Sequence, residues 1–176
     1  MRKLIILRGA QGSGKSTFVK KNDLERFTLS ADTIRLMLNS PELTIDHTEM
    51  IPQFNNKKTW NILYSILEER MKKGEFTIVD AVHSKKDDLS VYKKLAEKYR
   101  YRLYILDFTK IPKEEVYDGN KNREIYKVVP ECSIDRAYKN FAKEQIPGAF
   151  KIVDPDDFES ILTREPMNYD HYRMFI

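Results

Sequence analysis

The residues able to do chemistry gather first near the start of the sequence. Gly9-Ala10-Gln11-Gly12-Ser13-Gly14-Lys15-Ser16 has the spacing G-x-x-x-x-G-K-[ST]. Glycines in such a run let the backbone turn tightly and aim several N–H groups at one point. Where the run also opens a helix, the aligned peptide dipoles favour an anion at that point. Gly12, Ser13, Gly14, Lys15, Ser16 and Thr17 are therefore candidates to cradle the phosphates of ATP or another NTP. Lys15 is suited to the β- and γ-phosphates, and the Ser16 hydroxyl to Mg2+ (or Mn2+) held with them. The bland reading is a glycine-rich strand–helix turn that binds nothing, and it leaves the fixed Lys-Ser pair unexplained.

Two carboxylates and two arginines follow. In Leu29-Ser30-Ala31-Asp32-Thr33-Ile34-Arg35, Asp32 stands just past an apolar stretch, and Arg35 lies one helical turn beyond it. Phosphoryl transfer to an alcohol needs a carboxylate that orients the hydroxyl and takes its proton. The planar fork of an arginine suits a phosphate on the acceptor. The bland alternative is that Asp32 or Ser30 only caps a helix and Arg35 is solvated; beside the phosphate-binding motif it is the lesser reading, and capping and catalysis are compatible. Asp80, closing Val79-Asp80-Ala81, reads either as a Mg2+ ligand, directly or through water, or as a buried cap. Arg123, in Asn120-Lys121-Asn122-Arg123, reads as a mobile catalytic arginine closing over the phosphates or as part of a solvated charged loop. Lys139 and Lys143 read as the outer side of a helix.

These groups need elements to position them, and the chain alternates between two periods. Leu4–Leu7, 27–29, 76–79, 101–108 and 150–153 read as strands, the first buried on both faces. Helical spacing appears in 15–21 and 33–38, in Trp60-Leu63-Ile66-Leu67-Met71, in Leu89-Tyr92-Leu95-Ala96-Tyr99, and in Ile134-Ala137-Tyr138-Phe141. Alternating strands and helices imply an α/β fold with a parallel sheet of about five strands flanked by helices. The loop 120–123 is expected between the fourth strand and the Ile134 helix, and 41–56 as a polar surface excursion.

Composition limits the setting. With 176 residues, 41% hydrophobic, the chain can bury a core without metals or disulfides. A net charge of +4 allows an anionic partner without requiring one. The single cysteine, Cys132, excludes an internal disulfide framework and suits a reducing, cytoplasmic setting. No apolar run is long enough for a membrane helix.

Four landmarks in order resemble the kinase module of phage and bacterial polynucleotide 5′-kinases, often fused to a phosphatase. They are Gly-Ser-Gly-Lys-Ser-Thr at 12–17, Ser-Ala-Asp-Thr-Ile-Arg at 30–35, Val-Asp-Ala at 79–81, and Asn-Lys-Asn-Arg at 120–123 followed by Val-Val-Pro at 128–130. The resemblance implies a P-loop kinase fold, adenylate-kinase-like, with a helical lid. It implies transfer of the γ-phosphate of ATP or another NTP to the 5′-OH end of RNA or DNA, in nucleic-acid end repair. Asp32 becomes the general base, Arg35 the clamp on the first internucleotide phosphate, Arg123 the lid arginine, and Lys15 with Ser16 the phosphate and Mg2+ ligands. Asp80 and Lys85 are further acceptor-side candidates.

Two positions depart from the pattern. Val82-His83 stands where relatives often carry Thr-Asn, and Gly119 where some carry a further lid arginine. His83 is expected at the surface, with no role. The kinase domain is expected over 1–163, with the lid around 113–146. Residues 164–176 look like a linker or the start of another domain, the place where the family often continues into a phosphatase. A small-molecule kinase for a nucleoside, sugar or related metabolite is the main alternative, and an NTP-binding switch without transfer the third.

Overall fold

An apolar run with no polar side belongs at the centre of a parallel sheet, covered on both faces. The computed structural model, which describes residues 2–43, 45, 47, 49–52 and 56–163, puts β1 (Lys3–Arg8) there. After it come α1 (Lys15–Lys21), β2 (Thr28–Ser30), α2 (Ala31–Leu38), the short strands β3 (Glu42–Leu43) and β4 (Glu49–Met50), and α3 (Asn56–Lys73). Then follow β5 (Thr77–Asp80), α4 (Lys86–Tyr99), β6 (Arg102–Asp107), α5 (Lys113–Lys121), α6 (Glu131–Lys143), β7 (Phe150–Val153) and α7 (Glu159–Leu162). Residues 164–176, where the sequence suggests a linker, lie outside the described residues. No helix among the described residues is long and apolar enough to cross a membrane.

The main sheet runs β2-β5-β1-β6-β7 with every pairing parallel, the α/β arrangement expected from the alternation of elements. Alternate residues of each strand feed opposite layers. Leu4, Ile6, Val79, Leu103 and Ile105 pack under α2, α3 and α4, against Ile34, Leu63, Leu67 and Tyr92. Ile5, Leu7, Ile78, Tyr104 and Leu106 face Val19 of α1 and Ile161 of α7. Each fully buried aliphatic contributes roughly 1.5–3 kcal/mol, so β1, with Leu4 to Leu7 at 0% exposure, anchors both layers. A smaller cluster of Ala10, Val116, Ile134 and Ala137 fastens α5 and α6 to the loop after β1.

Two local expectations change. In the segment 41–56, residues 41–43, 45, 47, 49, 50 and 56 are exposed as expected, but Ile51 and Pro52 are buried. The segment also contains the antiparallel pair of β3 and β4, tied across to the 125–127 turn by Ile51 N–H donating to the Tyr126 carbonyl at 3.0 Å. Residues 120 and 121 are not loop but the last turn of α5. The buried positions of that helix are Val116 and Asn120. With a polar residue at the second of them, four residues on, the apolar period is invisible in sequence.

Candidate active site

Carboxyl ends of parallel strands open into one crevice, and on either side of β1 the chain departs in opposite directions. Arg8, Ser30, Asp80 and Asp107 end four neighbouring strands there. The loop after β1 enters α1 through Gly14, which caps the helix at φ 84°. Gly12 also has a left-handed φ of 87°. A Cβ at Gly12 would stand 2.4 Å from the Val116 carbonyl oxygen, and one at Gly119 would stand 2.3 Å from the Gly12 carbonyl oxygen. So α5 lies backbone to backbone on the loop, which accounts for a glycine at 119. Asn120 pins the far side, its amide donating to the Val129 carbonyl at 2.8 Å and accepting from Val129 N–H at 3.2 Å.

Lys15 is buried, and its ammonium donates to the carbonyls of Gly9 and Ala10, both at 2.8 Å. Burial pulls its pKa down, against the attraction of Asp80 and Asp32. Ser13 is buried beside it, while Ser16 and Thr17 face solvent on the first turn of α1. The Ser16 hydroxyl donates to Asp80 Oδ2 at 3.3 Å. Burial pushes the Asp80 carboxyl up, and Lys15 opposes that.

The acceptor-side alternatives resolve through the capping geometry. Ser30, not Asp32, caps α2, its Oγ accepting from Thr33 N–H at 3.4 Å. Asp32 is thereby left inside the first turn, and Arg35 is buried rather than solvated. Arg35 Nη1 donates to Asp32 Oδ1 at 2.6 Å and Nη2 to Asn56 Oδ1 at 2.6 Å. Its Nε is buried with no hydrogen-bond partner. Such a donor is costly unless something accepts from it. Arg123 Nη2 approaches Asp32 Oδ2 at 3.9 Å from the opposite side, and its Nη1 donates to the Lys127 carbonyl. Arg123 therefore does not belong to a solvated loop: burial depresses its pKa, and Asp32 and Asp80 hold its charge. An arginine stays protonated under such a shift.

Lys15, Ser16, Asp32, Arg35, Asp80 and Arg123 thus converge on one crevice. Lys85 does not join them; it is exposed before α4, its N–H donating to Asp88 Oδ2. Lys139 and Lys143 are exposed on α6, as expected. The crevice suits a divalent cation held jointly with phosphates. A hydroxyl and a carboxylate within hydrogen-bond distance supply the one or two hard oxygens that Mg2+ takes from protein when phosphate and water supply the rest.

His83 overturns its surface expectation. It is 3% exposed, with φ 50°, and its ring nitrogens lie 2.9 Å from the Leu7 carbonyl oxygen and 2.9 Å from the Tyr92 hydroxyl. Burial lowers its pKa to about 4, so the ring is neutral. Together with Gly9 N–H donating to the Val82 carbonyl and Arg8 Nε to the His83 carbonyl, it stitches the β5–α4 turn to the root of the phosphate loop. The signal in sequence was indirect: Tyr92 occupies a core position of α4 and needs a buried partner for its hydroxyl. Asn56 was also missed, because nothing in sequence links it to Arg35.

The AAA domain family AAA_33 matches residues 4–143. The chain belongs to this AAA domain family. Among solved structures, this AAA domain is similar to a chain in the structure of the Pnkp1/Rnl/Hen1 RNA repair complex, with TM-score 0.62 and 23% identity over 80% of this chain and 44% of that one. It therefore spans less than half the length of that chain. It is similar to a putative kinase from Chloroflexus aurantiacus (TM-score 0.59, 16% identity, 91% of this chain and 94% of that one). A sugar kinase from Janibacter sp. HTCC2649 gives TM-score 0.55 and 18% identity, over 92% of each chain. No curated protein sequence matches the chain. The AAA domain here has the P-loop kinase fold.

Proposed function

We propose that this AAA domain is a phosphotransferase, and specifically a polynucleotide 5′-hydroxyl kinase. The observation that carries the reading is Asp32 held between two arginines, Arg35 at 2.6 Å on its own helix and Arg123 at 3.9 Å from beyond α5. One carboxylate then faces both partners of a transfer. On the donor side, the N–H groups of residues 12–17, with Lys15 and Arg123, bind the NTP phosphates, and Lys15 exchanges the carbonyls of Gly9 and Ala10 for phosphate oxygens. Ser16 and Asp80 hold Mg2+, which when bound neutralises charge on those phosphates.

On the acceptor side, Asp32 orients the 5′-hydroxyl and takes its proton as the new O–P bond forms. The bond from the γ-phosphorus to its bridging oxygen breaks, and the nucleoside diphosphate leaves. Arg35 holds the acceptor's neighbouring phosphate, which gives its unpartnered Nε an acceptor. A simple sugar or nucleoside offers no such anion, and this favours a polynucleotide over the metabolite acceptor that the shared fold also allows. Asp80 lines the acceptor side, Lys85 meets the strand further out, and α5–α6 (around 113–146) close over the phosphates as a lid. The landmarks at 12–17, 30–35, 79–81 and 120–123, and the likeness to a chain of an RNA repair complex, support the same assignment.

An acceptor panel tests it. Label from γ-labelled ATP is expected on 5′-OH RNA or DNA oligonucleotides, and lost in Asp32→Ala and Lys15→Ala. Label on a sugar or nucleoside with none on any oligonucleotide assigns the protein to metabolite kinases. NTP binding with no transfer to any acceptor makes it a switch.

A further inference from the structure

Beyond the charged cluster, α3 carries an aromatic surface at the acceptor side that none of the assigned roles uses. Trp60 lies one turn after Asn56 on the same face of the helix, and Asn56 is the residue that Arg35 Nη2 grips. From there the indole reaches the ring of His83, at 6.2 Å between centroids, three residues past Asp80 at the end of β5. Trp60 therefore follows Arg35's partner on α3 and meets the ring that lies just past the end of β5.

Its backing is rigid. The indole stacks on Tyr64 at 5.6 Å and 29°, Tyr64 meets Tyr92 edge-on at 5.7 Å, and Tyr92 meets His83 at 5.4 Å. Tyr92 is fully buried and His83 nearly so, whereas Trp60 is only partly buried. A large ring already locked by its neighbours loses little side-chain freedom on binding a ligand. Each nucleobase offers a π-face, so one such ring accepts any base.

We propose that Trp60 is the platform on which the base at the acceptor's 5′ end stacks, a positioning residue that presents the 5′-hydroxyl to Asp32 while Arg35 holds the adjoining phosphate. This rests on the polynucleotide reading. It also assigns a division of labour: Trp60 selects for an aromatic base without reading its identity.

Trp60 is the only tryptophan in the chain, so intrinsic emission reports on it directly. A short 5′-OH oligonucleotide is expected to quench that emission, and the same oligonucleotide with an abasic 5′ terminus to quench it much less. Trp60→Ala is expected to raise KM for the oligonucleotide about 10- to 100-fold, from the loss of one stacked base. KM for ATP should hold, kcat should change only a few-fold, and Trp60→Phe should recover most of the loss. Emission unmoved by the oligonucleotide, equal quenching by the abasic form, or an unchanged KM in Trp60→Ala overturns the platform while labelled oligonucleotide product keeps the polynucleotide reading intact. If intact protein labels no oligonucleotide, that reading falls and the platform with it. The fluorescence arm uses the unaltered protein, so it decides the matter even if Trp60→Ala does not fold.

Discussion

On one side of the crevice the loop of residues 9–16 keeps its shape through the backbone, with left-handed glycines, a carbonyl of α5 against Gly12, and Lys15 tied to carbonyls of its own loop. On the other side, the Asp32–Arg35 pair of α2, Asn56 of α3 and Arg123 after α5 come from three separate stretches of chain and meet through side chains. Contiguous residues specify the first arrangement, so any sequence with that spacing announces it. Tertiary packing specifies the second, so its parts can be exchanged one side chain at a time. One fold hosts many functions, and under that division the contiguous loop stays recognisable while the side-chain cluster is free to vary.

Several substitutions would break or sharpen this contrast. The largest effect is expected from Asp32→Asn, which keeps the shape of the side-chain cluster and removes the proposed base. Turnover with a 5′-OH oligonucleotide should fall about 10²- to 10⁴-fold, with ATP affinity by equilibrium binding unchanged. An equal loss of ATP affinity would merge the two sides into one. On the backbone-built side, Gly12→Ala combines a left-handed φ with overlap at the Val116 carbonyl. It should cost about 3 kcal/mol and lower the thermal midpoint by roughly 6–12 °C. Gly148→Ala, where an added Cβ meets nothing within 4 Å, is the matched control and should leave the midpoint nearly still.

Between the two sides, His83 ties β5 to the root of the loop, and its burial predicts a pH dependence. Its folded pKa of about 4 lies below the ordinary 6.5. The unfolded chain therefore binds more protons between those values, and stability rises with pH across them. The contribution is complete above pH 6.5 and falls away as pH drops toward 4, by roughly 3 kcal/mol in all. Urea midpoints for the native protein and His83→Gln should diverge most at neutral pH and converge as acid removes that contribution; parallel profiles would show that His83 does not titrate this way. The smallest effect is expected for Arg35→Gln. KM for the oligonucleotide should rise about 10- to 100-fold, the loss of a charge-assisted hydrogen bond, while KM for a bare nucleoside stays put. A matching rise for the nucleoside would remove the acceptor phosphate from the account.

The same division decided what could be read from sequence. The phosphate loop, the five strands and the core faces of α3, α4 and α6 are local periodicities or contiguous motifs, and all of them appear in the fold. Asp32 and Arg35 were visible because they are three residues apart on one helix. Their partner Asn56 was not, since only the packing of α2 against α3 brings it close. His83 looked like a surface residue because a histidine has no pattern of its own; its burial depends on Leu7 and Tyr92, which lie 76 and 9 residues away. Asn120 hid the buried face of α5 by being polar, and the reason for Gly119 emerged only from its contact with the Gly12 backbone. Trp60 was legible as part of an apolar helix face, but its contact with the His83 ring was not.

The central claim is that Asp32 and Arg35 act together on an alcohol that carries a neighbouring phosphate. Its most direct test is kcat/KM, with ATP as donor, for a nucleoside, the same nucleoside bearing a 3′-phosphate, and a 5′-OH oligonucleotide. The account predicts a gain of about 10- to 100-fold from the nucleoside to either phosphate-bearing acceptor, from charge-assisted bonds to Arg35, with the gain largely lost in Arg35→Gln. Equal values for all three, or a preference for the bare nucleoside, would contradict it.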